Sequence, residues 1–236
     1  MTRRRVLAVV GVALALALVL AWNLSPSMQD VQTRVAQRAH LEHVPLLESG
    51  AVPPLLAEAV ISIEDERFYQ DHGIDIVGIV RAALFDATKR CLCEGGSTID
   101  EQLVKDIYLG GDDHGPSKLM DLLLAVKLQT KLSKPVILAD YVSTITTGPN
   151  LYGVAAAACA YYGKTLDQLT LPEDALIAGL TQDPALYDPL VHPHAAAARR
   201  QEVLVAMLSE GYITSQAASA AANAAIAGTP GTSCAA

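Results

Sequence analysis

From Val6 through Ala21 the chain carries no polar or charged side chain. The apolar run reaches about Leu24 and directly follows Arg3, Arg4 and Arg5. A helix needs ~20 predominantly apolar residues to cross a bilayer, so a single span is expected over residues 1–24. Basic flanks stay on the cytoplasmic side, which places everything after Leu24 outside the cytoplasm. A cleaved signal peptide is the alternative, with Val19-Leu20-Ala21 as its cleavage site. Either reading sends the folded part across the membrane. Cys91, Cys93, Cys159 and Cys234 then face an oxidising space. Cys91 and Cys93 are too close to bridge each other comfortably. A bond from either one to Cys159 is open, and spacing does not choose between them. The Cys-Leu-Cys pair lacks the two further nearby ligands that a zinc site needs.

The remaining chain has the make-up of one helical domain. Aromatic residues are only 5% while apolar residues are 51%. Alanine, leucine, valine and isoleucine therefore fill the core, a composition that favours helix over strand. A net charge of −8 argues against a nucleic-acid partner, which asks for a basic face. Residues 25–49 read as a polar stalk of mixed charge without a clear period. Beyond it, Leu55, Leu56, Ala59, Val60, Ile63 and Phe68 recur at helical spacing behind Pro53 and Pro54. Asp75 caps a second helix with a stripe of Ile76, Ile79, Val80, Ala83 and Leu84. Ser97 or Thr98 caps a third, to about Leu109, and residues 110–116 form a loop. Helices are expected over 117–132 and, capped by Ser133, up to a break at Gly148-Pro149-Asn150. Further helices are expected over 153–161, 171–180, 194–209 and 215–226. No convincing alternating strand is present. The domain is expected over 50–215, with an alanine-rich helix and a loose tail over 216–236.

Two stretches carry the chemistry. The first runs Glu64-Asp65-Glu66-Arg67-Phe68-Tyr69-Gln70-Asp71-His72-Gly73-Ile74-Asp75. Glu64 and Asp65 lie beside Ile61, Ile63 and Phe68, and apolar neighbours raise a carboxyl pKa in a way that suits a general base. A solvated acidic face has the same spacing, and His72 can equally be a helix-end residue. The second runs Gly95-Gly96-Ser97-Thr98-Ile99-Asp100-Glu101-Gln102-Leu103-Val104-Lys105. Its glycines permit close backbone approach, and free N–H groups at a helix start attract anions. Gln102 and Lys105 share a face, and Lys105 can hold a diphosphate. An ordinary capped helix with surface Gln and Lys also fits. Gly163-Lys164-Thr165 fails as a nucleotide loop because Ala158 stands where its first glycine belongs. There is no Ser-x-x-Lys with a Lys-Thr-Gly partner, so no transpeptidase unit is expected.

In order and form these stretches resemble the peptidoglycan glycosyltransferase family, the transglycosylase module of class A penicillin-binding proteins and of monofunctional cell-wall transglycosylases. The family pattern Glu-Asp-x-x-Phe followed by His-Gly-x-Asp is complete from Glu64 to Asp75. The Gly-Gly-Ser-Thr-Ile pattern continues with Glu101 for a glutamine and Asp106 for an asparagine. The Arg-Lys-x-x-Glu pattern is present as Ser117-Lys118-Leu119-Met120-Asp121. Tyr152-Gly153, Tyr162-Gly163-Lys164, Ala178-Gly179-Leu180 and Tyr187-Asp188-Pro189 are similar to the family's C-terminal half.

The resemblance implies a mainly α, lysozyme-like, two-lobed domain with a central cleft, preceded by one transmembrane helix. It implies a cell-membrane protein that polymerises lipid II into glycan strands with inversion. Glu64 would act as the general base, and Asp121 would stand where the family's second catalytic glutamate stands. Lys105 and Lys118 would steady the departing undecaprenyl diphosphate, often with a divalent cation such as Mg or Mn. Asp65, Phe68, His72, Gly96, Ser97, Thr98 and Gln102 complete the expected substrate site. No organic cofactor is expected. Lipid II, the nascent strand, the membrane and other cell-wall synthesis proteins are the expected partners. The departures cluster in the third motif, where a bidentate arginine is lost at Ser117 and Asp121 is one methylene short. They support a second expectation, a non-catalytic member that binds lipid II or scaffolds cell-wall synthesis. A lysozyme-like hydrolase with Glu64 as acid is a third; the lysines and the membrane anchor speak against it.

Overall fold

The chain passes from its apolar N-terminal helix into the core within four residues. Helix α1 (Arg3–Leu24) buries none of its residues and is long and apolar enough to cross a membrane. Met28 is already fully buried, with a backbone φ of 63° that non-glycine residues rarely adopt. Helix α2 (Val31–Leu41) follows and buries Val31, Val35 and Ala39, a four-residue repeat down one face. It packs against α5 and α7. The expected stalk over 25–49 is therefore corrected: much of it is a helix of the domain. Its apolar stripe is one residue wide among arginines and glutamines, too thin to read as a period in the sequence.

A computed structural model describes residues 3–89, 96–111 and 115–226 of the chain. The expectations for Cys91, Cys93, Gly95, Cys234 and the loose tail lie outside those residues. Cys159 is disulfide-bonded.

The elements after α2 are mainly helical, as expected. They are α3 (Pro54–Glu64), α4 (Ile76–Lys89), α5 (Ile99–Tyr108), α6 (Pro116–Gln129), α7 (Lys134–Thr144), α8 (Val154–Tyr162), α9 (Leu171–Leu180), α10 (Pro193–Ser209) and α11 (Ser215–Ala222). A 3-10 turn spans Leu166–Gln168. Around the expected break, β1 (Thr146–Gly148) and β2 (Leu151–Tyr152) pair antiparallel about Pro149-Asn150. This hairpin was not expected, since strands of two and three residues hold no alternation to read. The last helix stops at Ala222, short of the expected 226, where Arg200 donates to the carbonyls of Ala222, Ala224 and Ala225.

Helix α9 is the axis of the body, buried without interruption from Asp174 to Leu180. It lies between α3 and α10. Gly179 sets the approach of α10, because a Cβ there would stand 2.9 Å from Arg199 Cγ. Helix α4 behaves differently. Its expected core stripe is solvent-facing: Ile76, Ile79, Val80 and Leu84 are exposed, and Ala82 is buried. The periodicity of an apolar face is the same whether or not the fold covers it. Helix α4 forms one lip of a cleft whose other wall is α10 and the segment that follows α9.

Two outcomes follow from this packing. Met28→Ala should cost ~2–5 kcal/mol of unfolding free energy, the range for a buried aliphatic truncation. A stalk residue would cost under ~0.5 kcal/mol, and denaturant unfolding of the detergent-solubilised chain separates the two. Asp174 is pushed up to about 7, chiefly by burial and also by the charge of Glu173. Its folded form therefore keeps a proton that the unfolded chain, with an ordinary value of 3.8, has already released. That contribution to stability is lost as pH rises from about 4 to about 7. Asp174→Asn should flatten the fall in melting temperature across that window.

Candidate active site

The two adjacent acids of the first motif point to different places because α3 ends between them. Glu64 is the last helical residue, and Asp65 takes an extended φ of −159°. Asp65 turns inward, where its Oδ2 accepts the Ile99 backbone N–H at 3.0 Å and so anchors the start of α5. Burial, and then the charge of Asp71, hold its carboxyl well above the usual range. Glu64 turns to the cleft. Its Oε2 accepts from Gln102 Nε2 at 2.7 Å, and Thr181 Oγ1 lies 2.6 Å from its Oε1. That hydroxyl also lies 2.8 Å from the Ala178 carbonyl, one proton serving both. Gln102 is itself oriented by Tyr141, whose hydroxyl donates to Oε1 at 3.0 Å. Burial, and then the nearby Glu64 charge, raise the Tyr141 pKa, so it stays a donor. Arg199 Nη2 stands 3.8 Å from Glu64 Oε1. Each carboxylate oxygen thus has a donor from a different part of the fold, which aims Glu64 at the cleft.

The rest of the first motif is structural. Phe68 is fully buried, and Lys134 Nζ lies 4.2 Å from its ring centroid. Lys134 also binds Asp71 at 2.9 Å and Asp100 at 3.0 Å. Gly73 has a φ of 92°, and a Cβ there would stand 2.6 Å from the Ala125 backbone. His72 is exposed. The motif thus contributes two cleft carboxylates, Glu64 and Glu66, and a brace built on buried groups.

Thr98 caps α5, accepting the Glu101 N–H at 3.1 Å and donating to the Gly73 carbonyl at 2.9 Å. It is buried, so it orders the helix start and leaves Gly96 and Ser97 to face the cleft side. Lys118, in the first turn of α6, reaches across to Ser97 Oγ at 2.9 Å and Glu101 Oε2 at 2.6 Å. Asp121 Oδ2 is 3.5 Å from the same ammonium. Glu101 is 1% exposed, and its Oε1 has no hydrogen-bond partner. Burial, reinforced by Asp121, raises its pKa against the pull of Lys118. Burial opposes the charge on Lys118, but Glu101 and Asp121 outweigh it and raise its pKa. The two directions agree physically: the lysine is half-exposed and keeps its proton, while the carboxylate is fully desolvated. Lys105 is half-buried one turn beyond Gln102 on α5.

The cleft beside Glu64 has a volume of about 700 Å3. Gln102 and Ser97 line one side, Arg81 and Phe85 of α4 another, and Gln182, Tyr187 and Arg199 the far wall. Its cations are matched within the protein. Arg81 pairs with Glu66, and Arg199 with Glu202 at 2.8 Å. Among the described residues no group of three or more His, Cys, Asp or Glu side chains forms a metal site.

Residues 30–208 match the family model described as Transglycosylase. The chain belongs to the transglycosylase family. It is 42% identical to penicillin-binding protein 1A of Escherichia coli over 182 residues, which is 77% of this chain and 21% of that protein. It is 40% identical over 210 residues to a transglycosylase-named protein of Cupriavidus necator, covering 89% of this chain and 88% of that one. The chain thus spans about a fifth of the first relative and most of the second. A crystal structure of penicillin-binding protein 1A from Haemophilus influenzae aligns over 80% of this chain and 18% of its own, with 24% identity and a TM-score of 0.46.

Sequence reasoning found Glu64 and Gln102 but missed the groups that orient Glu64. Thr181, Arg199 and Tyr141 come from three further helices or their ends. The available signal was Gly179, a glycine inside an apolar helix beside the similar stretch Ala178-Gly179-Leu180, which makes room for Arg199. Glu101 was visible only as a departure from the pattern. Glu101→Gln should tighten binding of inorganic diphosphate to the purified chain about tenfold, because it removes a charge in contact with Lys118. Isothermal calorimetry reads this, and unchanged affinity would show that Glu101 does not limit Lys118.

Proposed function

We propose that this chain is a peptidoglycan glycosyltransferase that polymerises lipid II on the outer face of the cell membrane. The observation that carries the reading is Glu64, held at the cleft by donors from α5 and the end of α9, in a chain of the transglycosylase family. Glu64 removes the proton from the 4-hydroxyl of the acceptor sugar. The freed oxygen attacks the anomeric carbon of the donor strand from the face opposite its diphosphate. The anomeric C–O bond breaks with inversion, and undecaprenyl diphosphate leaves with the bonding electron pair.

Lys118 stabilises the charge that develops on that leaving group, with Ser97 beside it. Asp121 and Glu101 set the position of the lysine and are the residues that would hold a magnesium or manganese ion. Such an ion would supply charge neutralisation for the leaving group. The apolar α1 is read as a single-pass anchor with a cytoplasmic N-terminus, suited to a substrate whose tail stays in the bilayer.

One observation favours a second reading, a non-catalytic lipid II-binding protein of cell-wall synthesis. Lys118 already faces two carboxylates, so the substrate meets a lysine whose charge is more than offset. Labelled lipid II incubated with the detergent-purified chain and magnesium distinguishes the two. Polymer from the wild type and a fall of at least ~100-fold in Glu64→Gln, the order expected on loss of a general base, support the enzyme. Full activity in a folded Glu64→Gln variant rules out the assigned base. Binding without polymer selects the second reading.

A further inference from the structure

Lys127 is a buried lysine in the last turn of α6, far from the cleft chemistry. Its ammonium is gathered by the end of α1. It donates to the carbonyls of Trp22 at 2.6 Å, Pro26 at 3.0 Å and Ser25 at 3.2 Å, and to Ser25 Oγ at 2.7 Å. It also lies 5.0 Å from the centroid of the Trp22 ring. The last carbonyls of a helix carry its negative dipole end and lack intrahelical donors, so a desolvated cation there is a strong clamp. A second observation is independent of this one. Two residues after Pro26, Met28 is fully buried in the core with a left-handed backbone, so no flexible linker separates α1 from the domain.

We infer that Lys127 is a positioning residue that locks the N-terminal anchor to helix α6 and so fixes how far the cleft stands from the bilayer surface. The same helix carries Lys118 about two and a half turns, roughly 14 Å, toward its N-terminus. Trp22 is a residue type that settles at the membrane–water interface. The clamp therefore ties the lysine that meets the diphosphate to a fixed depth relative to the lipid headgroups. A diphosphate on a membrane-bound chain presents itself at that depth. This inference rests on the glycosyltransferase and anchor readings proposed above.

The test uses the full chain with Lys127→Met, which keeps the aliphatic length and removes the charge and its donors. Trp22 is the single tryptophan, so its time-resolved fluorescence anisotropy in phosphatidylglycerol–phosphatidylethanolamine vesicles reports the clamp without any turnover. The variant should show a faster local wobble of Trp22. It should lose at least tenfold in kcat/KM on long-chain lipid II in the same vesicles. On a short-chain, water-soluble lipid II analogue it should change less than threefold. Unchanged Trp22 anisotropy overturns the inference, as do equal falls on both substrates or no fall on the vesicle substrate. If Lys127→Met does not melt like the wild type, Lys127→Gln, which leaves one donor group for the same carbonyls, gives the same readings with smaller changes. A wild type inactive on both substrates defeats the proposed reaction, and the anisotropy then decides the clamp alone.

Discussion

A partly buried cation, held by two buried carboxylates, joins the parts of this domain that position its cleft. Lys134, at the start of α7, binds Asp71 from the first motif and Asp100 from the first turn of α5. Gln129 from the end of α6 donates to the same Asp100 at 2.9 Å. Asp65 and Thr98 complete the join by tying α5 to the loop that follows α3. Removing one partner from such a buried cluster leaves uncompensated charge, which costs ~3–5 kcal/mol. The orientation of Gln102, and through it of Glu64, depends on where that cluster sets α5. The first motif is thus as much a brace for the second as a contributor to the cleft.

The cleft itself is close to charge-matched. Arg81, Arg199 and Lys118 each face at least one carboxylate. A site built to receive two phosphates is expected to carry surplus positive charge, since anions bind where donors and cations converge. Here Glu101 and Asp121 offset Lys118, and the other lysine of α6, Lys127, lies at the opposite end of the helix. An anion approaching Lys118 would therefore need added positive charge or displacement of Glu101.

The anchor and the cleft meet in one element. Helix α6 carries Lys118 and Asp121 near its start and Lys127 near its end. Its two ends face the Ser97–Glu101 start of α5 and the exit of α1. A helix that reads as ordinary core thus links the N-terminal apolar helix to the side of the cleft. The exposed apolar side of α4 lies at the lip of the same cleft.

Local patterns were enough for the helices with wide apolar stripes, such as α3 and α9, and for the cap at Thr98. They were not enough for Glu64 and Gln102, whose spacing equally fits a solvated acidic face and an ordinary capped helix, or for Lys118, which was marked only by the resemblance of the three stretches, in their order, to the family patterns. They were not enough for α2, whose stripe is one residue wide, or for the outward turn of α4, whose pattern carries no information on what covers it. The partners of Glu64 show the limit most clearly. Thr181 and Arg199 lie 117 and 135 positions away in the chain, and only the packing of α3 against α9 and α10 brings them to the carboxylate. The sequence by itself determined which groups can exchange protons or hold charge. Tertiary structure decided which of two adjacent acids faces the cleft, because that choice rests on a single backbone torsion at Asp65 and on the distant N–H of Ile99 that holds it.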